Sequence, residues 1–189
     1  MLKSKFEALP LIHKMGGIIQ RYKMNDAYIF RQIKKEELPR FFDIILSRMK
    51  WMDEVGIKQW NATKYDEVYP LSYYEEKRQA GQVFVLEKAE SGEIVCGAVL
   101  KEHDERWDDD PPAIYLRNFA TRLDAKGTGL LFMKHAEEYA VKCGKEYFRL
   151  DSADDNLPLA RYYENLGFVP AGKCVDGEYS GILRQKKLK

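Results

Sequence analysis

The most informative pattern in the sequence lies at residues 118–130: Asn118-Phe119-Ala120-Thr121-Arg122-Leu123-Asp124-Ala125-Lys126-Gly127-Thr128-Gly129-Leu130. It predicts the end of a strand, a glycine turn and the start of a helix that runs to Cys143. Glycines let a backbone approach an anion closely, and the first amides of a helix lack partners within it. The stretch is therefore typical of a pyrophosphate cradle, to which Lys126 would add charge. A plain tight turn into a helix explains the same glycines, so both interpretations stay open here.

A second informative passage follows that helix. Arg149-Leu150-Asp151 ends a predicted strand, Asn156 lies in a loop, and residues 157–166 are predicted to form a short helix. Within this helix Tyr162 and Tyr163 are adjacent, and neighbouring side chains on a helix point about 100° apart. One tyrosine can therefore pack inward while the other reaches a cleft. Two tyrosines that only cover the core are the simpler alternative.

Together the two passages resemble the acetyl-CoA-binding region of the GCN5-related N-acetyltransferases. That family has Gln/Arg-x-x-Gly-x-Gly/Ala at its pyrophosphate loop, and Asp124-Ala125-Lys126-Gly127-Thr128-Gly129 is similar to it. The family also has an Asn, a Tyr seven residues later and Gly-Phe four residues beyond. Asn156, Tyr163 and Gly167-Phe168 match that spacing. The element order agrees from Tyr28 to the C-terminus, although only residues 118–168 carry specific motifs.

The resemblance implies an α/β (α+β) fold in a single domain, with a mixed, mostly antiparallel central sheet of about seven strands flanked by helices. Strands are predicted at 28–33, 82–87, 94–101, 113–123, 146–151 and twice beyond Phe168, and helices at 36–51, 71–79, 127–143 and 157–166. We assign residues 28–189 to this domain and residues 1–27 to an N-terminal extension. Apolar residues at helical spacing between Leu9 and Ile19 predict that the extension is a docked helix, with pairing to a second subunit or fraying as alternatives.

The resemblance also implies an activity, namely acetyl-CoA-dependent transfer of an acetyl group to a primary amine by direct attack in a ternary complex. The acceptor would be a small molecule or a peptide, and no metal is implied. The backbone of Phe119 would pair with the pantetheine arm, and Asn156 would contact the cofactor near that arm. The pyrophosphate would be held by Ala125, Lys126, Gly127, Thr128, Gly129 and Leu130. Tyr163 would be the general acid, because a tyrosine with a pKa of about 10 is protonated at neutral pH.

Asp124 departs from the family motif, which has Gln or Arg at this position. Its negative charge opposes a pyrophosphate unless the side chain points away or caps the helix. Two other functions therefore stay open. One is an acyl-CoA-binding module without turnover, which acts as a sensor or partner domain, and the other is an unrelated domain whose glycine turn holds a different phosphate-bearing ligand.

Weaker features concern the acceptor side. Glu102 and His103 lie at a predicted strand end and are weak candidates for the base, and a solvated strand end is the preferred interpretation of both. The acidic loop 104–110, with Trp107, is either a site that attracts a cationic amine or an ordinary solvated loop. Early aromatic residues either line an acceptor pocket or belong to the core: Trp51, Trp60, Tyr65, Tyr69, Tyr73 and Tyr74.

Composition excludes several classes of protein. The formal net charge is +1, so a nucleic-acid partner is not indicated. The chain has three cysteines without CxxC or Cys/His spacing, which supports neither a zinc site nor a disulfide framework. No apolar run approaches the roughly 20 residues that span a bilayer, and the N-terminus lacks a signal-peptide core. We therefore expect a cytoplasmic protein without membrane contact, with a homodimer as a further possibility.

Overall fold

The sheet is the frame on which the other elements pack, and the computed structural model describes residues 22–24, 27–177 and 179–188. Within these residues eight strands form one sheet. The strands are β1 (Tyr22–Met24), β2 (Tyr28–Gln32), β3 (Val83–Lys88), β4 (Ile94–Lys101), β5 (Ala113–Thr121), β6 (Tyr147–Ala153), β7 (Val169–Asp176) and β8 (Tyr179–Lys187).

The strands lie side by side in the order β1-β2-β3-β4-β5-β6-β8-β7. Among the described strands, β5 and β6 are parallel and the other neighbours are antiparallel. The predicted single domain with a mixed, mostly antiparallel sheet is therefore confirmed. β1 adds an eighth strand, inside the segment that we assigned to the N-terminal extension. The helix predicted between Leu9 and Ile19 lies outside the described residues, and the division at residue 27 stays a prediction.

The helices flank the sheet. A short 3₁₀ turn (Lys35–Glu37) leads into α1 (Leu38–Val55), which is followed by α2 (Tyr65–Val68), α3 (Leu71–Gln79), α4 (Thr128–Lys142) and α5 (Leu157–Asn165). α1 ends at Gly56, whose φ of +73° forms a left-handed cap, so the helix is longer than its apolar spacing predicted. The sequence did not predict α2, because a helix of four residues shows no apolar period.

Each face of the sheet carries its own apolar cluster. In β3, Phe84 and Leu86 pack with α4, whereas Val83 and Val85 pack with α1 and α3. Alternate residues of β3 belong to different clusters because successive side chains of a strand point to opposite faces of the sheet. On the α1 side Gly97 allows close packing, since a β-carbon there would lie 2.6 Å from Cε2 of Phe41. The central strands are therefore buried on both faces, which fixes the register of the strands around the site.

His135 of α4 lies in the core without a polar partner. Its side chain is almost fully buried and its ring stacks on Phe30, with ring centroids 5.6 Å apart. Neither ring nitrogen has a hydrogen-bond partner in the described part of the chain. Burial lowers the pKa of His135 below its ordinary value, although the carboxylate of Glu138, 3.7 Å from Nδ1, opposes that shift. The imidazole is therefore neutral in the folded protein at neutral pH.

Replacing His135 with leucine should make the free energy of unfolding less dependent on pH. Below about pH 6.5 the unfolded chain binds a proton at His135 that the folded chain resists, so wild-type stability is complete above that pH and declines below it. His103→Leu is the control for removal of a histidine at an exposed position. Urea unfolding between pH 5 and pH 8 measures the effect. Equal declines in the wild type and His135→Leu would contradict it.

Candidate active site

A cavity opens where the two parallel strands separate. β5 and β6 pair at three positions, the last of which joins Tyr115 to Arg149. Beyond that pair β5 continues to Thr121 and β6 continues to Ala153 without pairing to each other. The space between and beside them is a cavity of about 1200 Å³, lined also by parts of α1, α2, α4 and α5. One backbone edge of β5 therefore faces this cavity instead of another strand.

A β-bulge at Asn118 sets the direction of β5 as it enters the cavity. Arg117 pairs with Val99 and Ala120 pairs with Gly97, so Asn118 and Phe119 together oppose one residue of β4. Asn118 adopts a left-handed conformation with φ of +54°. The side-chain amide of Asn118 donates a hydrogen bond of 2.6 Å from Nδ2 to the Tyr65 hydroxyl. A bulge of this kind turns the following side chain, and here it places Phe119 on the cavity wall.

The loop that follows β5 presents unpaired amides to the same cavity. Gly127 has φ of +83° and precedes the first turn of α4, which has no side-chain cap. In the described part of the chain, no acceptor is recorded for the backbone amides of Lys126, Gly127, Gly129 and Leu130. A β-carbon at Gly127 would meet nothing within 4 Å, so the space in front of the loop is open. Unpaired amides at a helix N-terminus form an anion site.

Two members of the predicted cradle have internal partners. The amide of Ala125 binds the carbonyl of Arg122 at 3.4 Å, and the amide of Thr128 binds the carbonyl of Ala125 at 3.3 Å. The Thr128 hydroxyl also donates to the Ala125 carbonyl, and the side chain is buried outside the cavity lining. Of the six residues predicted to hold the pyrophosphate, Lys126, Gly127, Gly129 and Leu130 therefore have unpaired backbone amides in the described part of the chain.

Asp124 points away from the cavity. Arg122 donates to both carboxylate oxygens of Asp124, at 2.9 Å and 2.7 Å. These hydrogen bonds lower the pKa of Asp124 to about 2, and Arg122 also pairs with Glu93 at 2.7 Å. Asp124 is not among the residues that line the cavity. The acid that departs from the motif is therefore neutralised by its neighbour and does not face the anion site.

α5 places two tyrosines at the cavity. Asn156 caps this helix by accepting the Leu159 amide at 3.0 Å, which engages its carbonyl oxygen. Tyr162 and Tyr163 both line the cavity, with ring centroids 5.3 Å apart. Tyr163 is 6% exposed, and no hydrogen-bond partner of its hydroxyl is recorded among the described residues. Burial raises the pKa of Tyr163 above its ordinary value, so the hydroxyl keeps its proton at neutral pH.

A charged cluster lies at the point where β5 and β6 separate, and the sequence did not reveal it. Asp151 of β6 accepts from Arg117 of β5 at 3.2 Å, from Arg106 at 3.1 Å and from the Tyr179 hydroxyl at 2.6 Å. Arg117 also pairs with the buried Asp104 at 3.2 Å. The contributing residues come from positions far apart in the chain. Neither their spacing nor their composition could have indicated that they meet.

The two candidate bases are not at the cavity. Glu102 is exposed and pairs with Lys145 at 2.6 Å. His103 is exposed and lies 3.2 Å from Asp110. Neither of them lines the cavity, so the solvated strand end is the interpretation that agrees with the structure.

The acidic loop is anchored to the sheet. Arg149 of β6 donates to both oxygens of Asp109, at 2.7 Å and 3.0 Å. The same guanidinium lies 4.0 Å from the ring centroid of Trp107. Trp107 therefore contacts an arginine of the protein itself, and it is not part of the cavity lining.

Aromatic side chains from α1, α2 and the loop between them form the remaining wall. Trp51, Trp60, Tyr65 and Tyr69 line the cavity, whereas Tyr73 and Tyr74 do not. Trp60 stacks on Tyr65 with ring centroids 4.5 Å apart, and Tyr65 contacts Tyr69 at 4.7 Å. Of the six aromatic residues singled out in the sequence, four therefore line the cavity and two do not. We call Trp51, Trp60, Tyr65 and Tyr69 the aromatic wall of the cavity.

No group of histidine, cysteine and acidic side chains in the described ranges is placed to hold a metal ion. No helix in the part of the chain that the structure covers is long and apolar enough to cross a membrane.

Comparison with known proteins connects this geometry to a family. The family model described as "Acetyltransferase (GNAT) family" matches residues 45–168. A GNAT-family acetyltransferase structure from Listeria monocytogenes is 19% identical, with a TM-score of 0.70 over 89% of this chain and 100% of that one. No curated protein sequence matches the chain.

Two further solved structures contain a bound ligand. PaiA N-acetyltransferase from Thermoplasma acidophilum, in complex with coenzyme A, is 18% identical, with a TM-score of 0.65 over 85% of this chain and 99% of that one. YncA from Salmonella typhimurium, with acetyl-CoA, is 19% identical, with a TM-score of 0.60 over 86% of this chain and 95% of that one. At these identities the solved structures establish the shared fold, and the family model covers more than half of the 189 residues. The chain therefore belongs to the GNAT family of acetyltransferases.

Proposed function

We propose that this protein is an N-acetyltransferase that uses acetyl-CoA and moves the acetyl group to a primary amine by direct attack in a ternary complex. One observation supports the proposal most directly: a single cavity contains the unpaired amides before α4, the free edge of β5 and the hydroxyl-bearing side chain of Tyr163. Acetyl-CoA would supply an acetyl group activated as a thioester. The rest of the chemistry is binding, orientation and proton transfer by residues of the chain.

The anion site fits the diphosphate of coenzyme A. The unpaired amides of Lys126, Gly127, Gly129 and Leu130 lie at the positive end of α4, which favours negative charge. Gly129 allows the first turn of α4 to pack closely on β5, because a β-carbon there would lie 3.3 Å from Cγ2 of Thr121. Asp124 does not oppose the ligand, since it is paired and faces away. The alternative of an acyl-CoA-binding module without turnover was favoured by the charge of Asp124, and the pairing of Asp124 with Arg122 removes that support.

The free edge of β5 fits an extended arm that carries amide groups. Backbone groups beyond Tyr115 face the cavity and have no partner strand on that side. An extended ligand with alternating donors and acceptors would pair with them as an added strand. Phe119, at the bulge, would be in contact with that arm, and the Asn156 side chain lines the same path. This arrangement would direct the thioester toward Tyr163.

Tyr163 would donate the proton that the departing thiolate needs. A thiol with a pKa of about 8.5 leaves as a thiolate that accepts a proton readily, and a tyrosine is a suitable acid at neutral pH. Burial raises the pKa of Tyr163 further, so the proton is present when the thiolate forms. The hydroxyl has no recorded partner among the described residues and is free to make that contact.

The amine would enter along the aromatic wall. Trp60, Tyr65 and Tyr69 line the cavity and would provide apolar contact for the body of an acceptor. Asp151 is a poor candidate for the base, because Arg106, Arg117 and Tyr179 already occupy its oxygens. Water in the open cavity would accept the proton of the amine.

Tyr163→Phe should lower kcat by about a hundredfold while the dissociation constant for acetyl-CoA changes little, because the variant loses only the transferable proton. Tyr162→Phe is the matched control on the same helix and should retain most of the turnover. Thiol release from acetyl-CoA with a panel of primary amines measures kcat, and calorimetry measures binding. An undiminished kcat in Tyr163→Phe would exclude this tyrosine as the acid, and equal losses in both variants would show that the effect is not specific to it.

Gly127→Val should weaken acetyl-CoA binding at least tenfold, because a side chain would occupy the open space in front of the amides. Gly144→Val is the matched control. Gly144 follows the other end of α4 with φ of +72°, and a β-carbon there also meets nothing within 4 Å. Both variants should lose roughly 1–2 kcal/mol of stability through backbone strain. Calorimetry should show the loss of affinity for acetyl-CoA in Gly127→Val alone. Similar affinities in the two variants would refute the placement of the coenzyme A diphosphate at the amides around Gly127.

A further inference from the structure

The basic side chains that line the cavity differ in how their charge is compensated. They are Arg48, Lys64, Arg106, Arg117, Arg122 and Lys126. Arg106, Arg117 and Arg122 each pair with carboxylates at the distances given above, and Lys64 lies 3.5 Å from Glu67. Within the described residues, no carboxylate partner is recorded for Arg48 or Lys126. Lys126 is exposed to solvent, so Arg48 is the half-buried cation whose charge stays uncompensated.

Neutral oxygens hold the Arg48 guanidinium in place. Its Nε donates to the Thr121 carbonyl at 2.5 Å, and its Nη2 donates to the Thr121 hydroxyl and, at 3.4 Å, to the Arg122 carbonyl. The guanidinium also lies 5.4 Å from the ring centroid of Trp51. No partner of Nη1 is recorded in the described part of the chain. Nε and Nη2 of the guanidinium are therefore held in place, and Nη1 is available to a ligand. Burial lowers the pKa of Arg48 below its ordinary value.

Thr121 connects Arg48 to the anion site. Its hydroxyl and carbonyl bind the guanidinium, and its Cγ2 lies 3.3 Å from the position of a β-carbon on Gly129. Gly129 belongs to the first turn of α4 and carries one of the unpaired amides. The Thr121 side chain therefore lies next to both the guanidinium from α1 and the first turn of α4, at the end of β5 where the elements of the two sheet faces meet the cavity.

We propose that Arg48 binds the diphosphate of coenzyme A together with the unpaired amides of α4. This inference rests on the proposed function. An arginine that is partly removed from water without a carboxylate is unfavourable alone, and an anionic ligand offsets that cost. The N–H groups of Nη1 remain to donate to phosphate oxygens, and the attachment of the guanidinium to Thr121 limits the entropy lost on binding. Helix α1, which contributes to the acceptor side through Trp51, would thereby be tied to the cofactor side as well.

The test replaces Arg48 with glutamine and compares it with Arg40→Gln, which removes an exposed charge from the same helix outside the cavity. Calorimetry measures dissociation constants for coenzyme A, dephospho-coenzyme A and pantetheine, at low and moderate salt. Arg48→Gln should weaken the two diphosphate-bearing ligands about tenfold, which is about 1.4 kcal/mol, and should reduce their salt dependence. Pantetheine binding should be unaffected, and Arg40→Gln should resemble the wild type.

Two further variants separate direct binding from a structural effect. Thr121→Val removes one of the bonds that hold Arg48 but leaves its charge, so its loss of affinity should be smaller than that of Arg48→Gln. Arg48→Lys should lie between Arg48→Gln and the wild type. Thermal melting without ligand reports any loss of folding.

The possible outcomes are distinguishable. Unchanged affinities in Arg48→Gln overturn the inference, as does an equal loss in Thr121→Val. A loss confined to coenzyme A would move the contact to its 3′-phosphate and would also overturn it. Failure of the wild-type protein to bind any of the ligands would refute the proposed function itself, and this inference with it.

Discussion

The site depends on the point at which β5 and β6 stop pairing. Up to Tyr115 and Arg149 the two strands share hydrogen bonds, and beyond that pair each strand keeps one partner only. Backbone N–H and C=O groups on the facing edges of β5 and β6 therefore have no partner strand across the gap. Buried backbone groups require hydrogen-bond partners, so a ligand in the gap would supply them. The aromatic wall, the unpaired amides before α4 and the two tyrosines of α5 are therefore arranged around an opening in the sheet that a ligand with amide groups is suited to close.

Charged side chains replace backbone pairing at this point. Arg117 lies two residues beyond Tyr115, and Asp151 lies two residues beyond Arg149, so their ion pair of 3.2 Å spans the gap as it begins. Arg106 and Tyr179 complete the hydrogen bonds of Asp151, which makes this partly buried cluster favourable only as a whole. The two apolar layers hold the central sheet rigid, so strand separation is local and the rest of the frame keeps its register.

Most of the fold could be predicted from local patterns, because apolar period and glycine turns report directly on helices and strands. The Gly127 turn and the Tyr162-Tyr163 pair lie where their spacing indicated, next to one cavity. Asp124 illustrates what spacing cannot show, since its direction depends on a hydrogen bond to Arg122. Arg48 and the cluster around Asp151 are contacts between distant segments, and a single sequence contains no signal for them.

Amide hydrogen exchange with and without coenzyme A tests the central claim, that the cofactor occupies the opening between β5 and β6. NMR resolves individual amides, and those of α3 on the opposite face of the sheet are the internal reference. We expect slower exchange at Lys126, Gly127, Gly129 and Leu130 and along 116–121, with α3 unchanged. Unaltered exchange at these amides under saturating ligand, or protection confined to another part of the chain, would contradict the account.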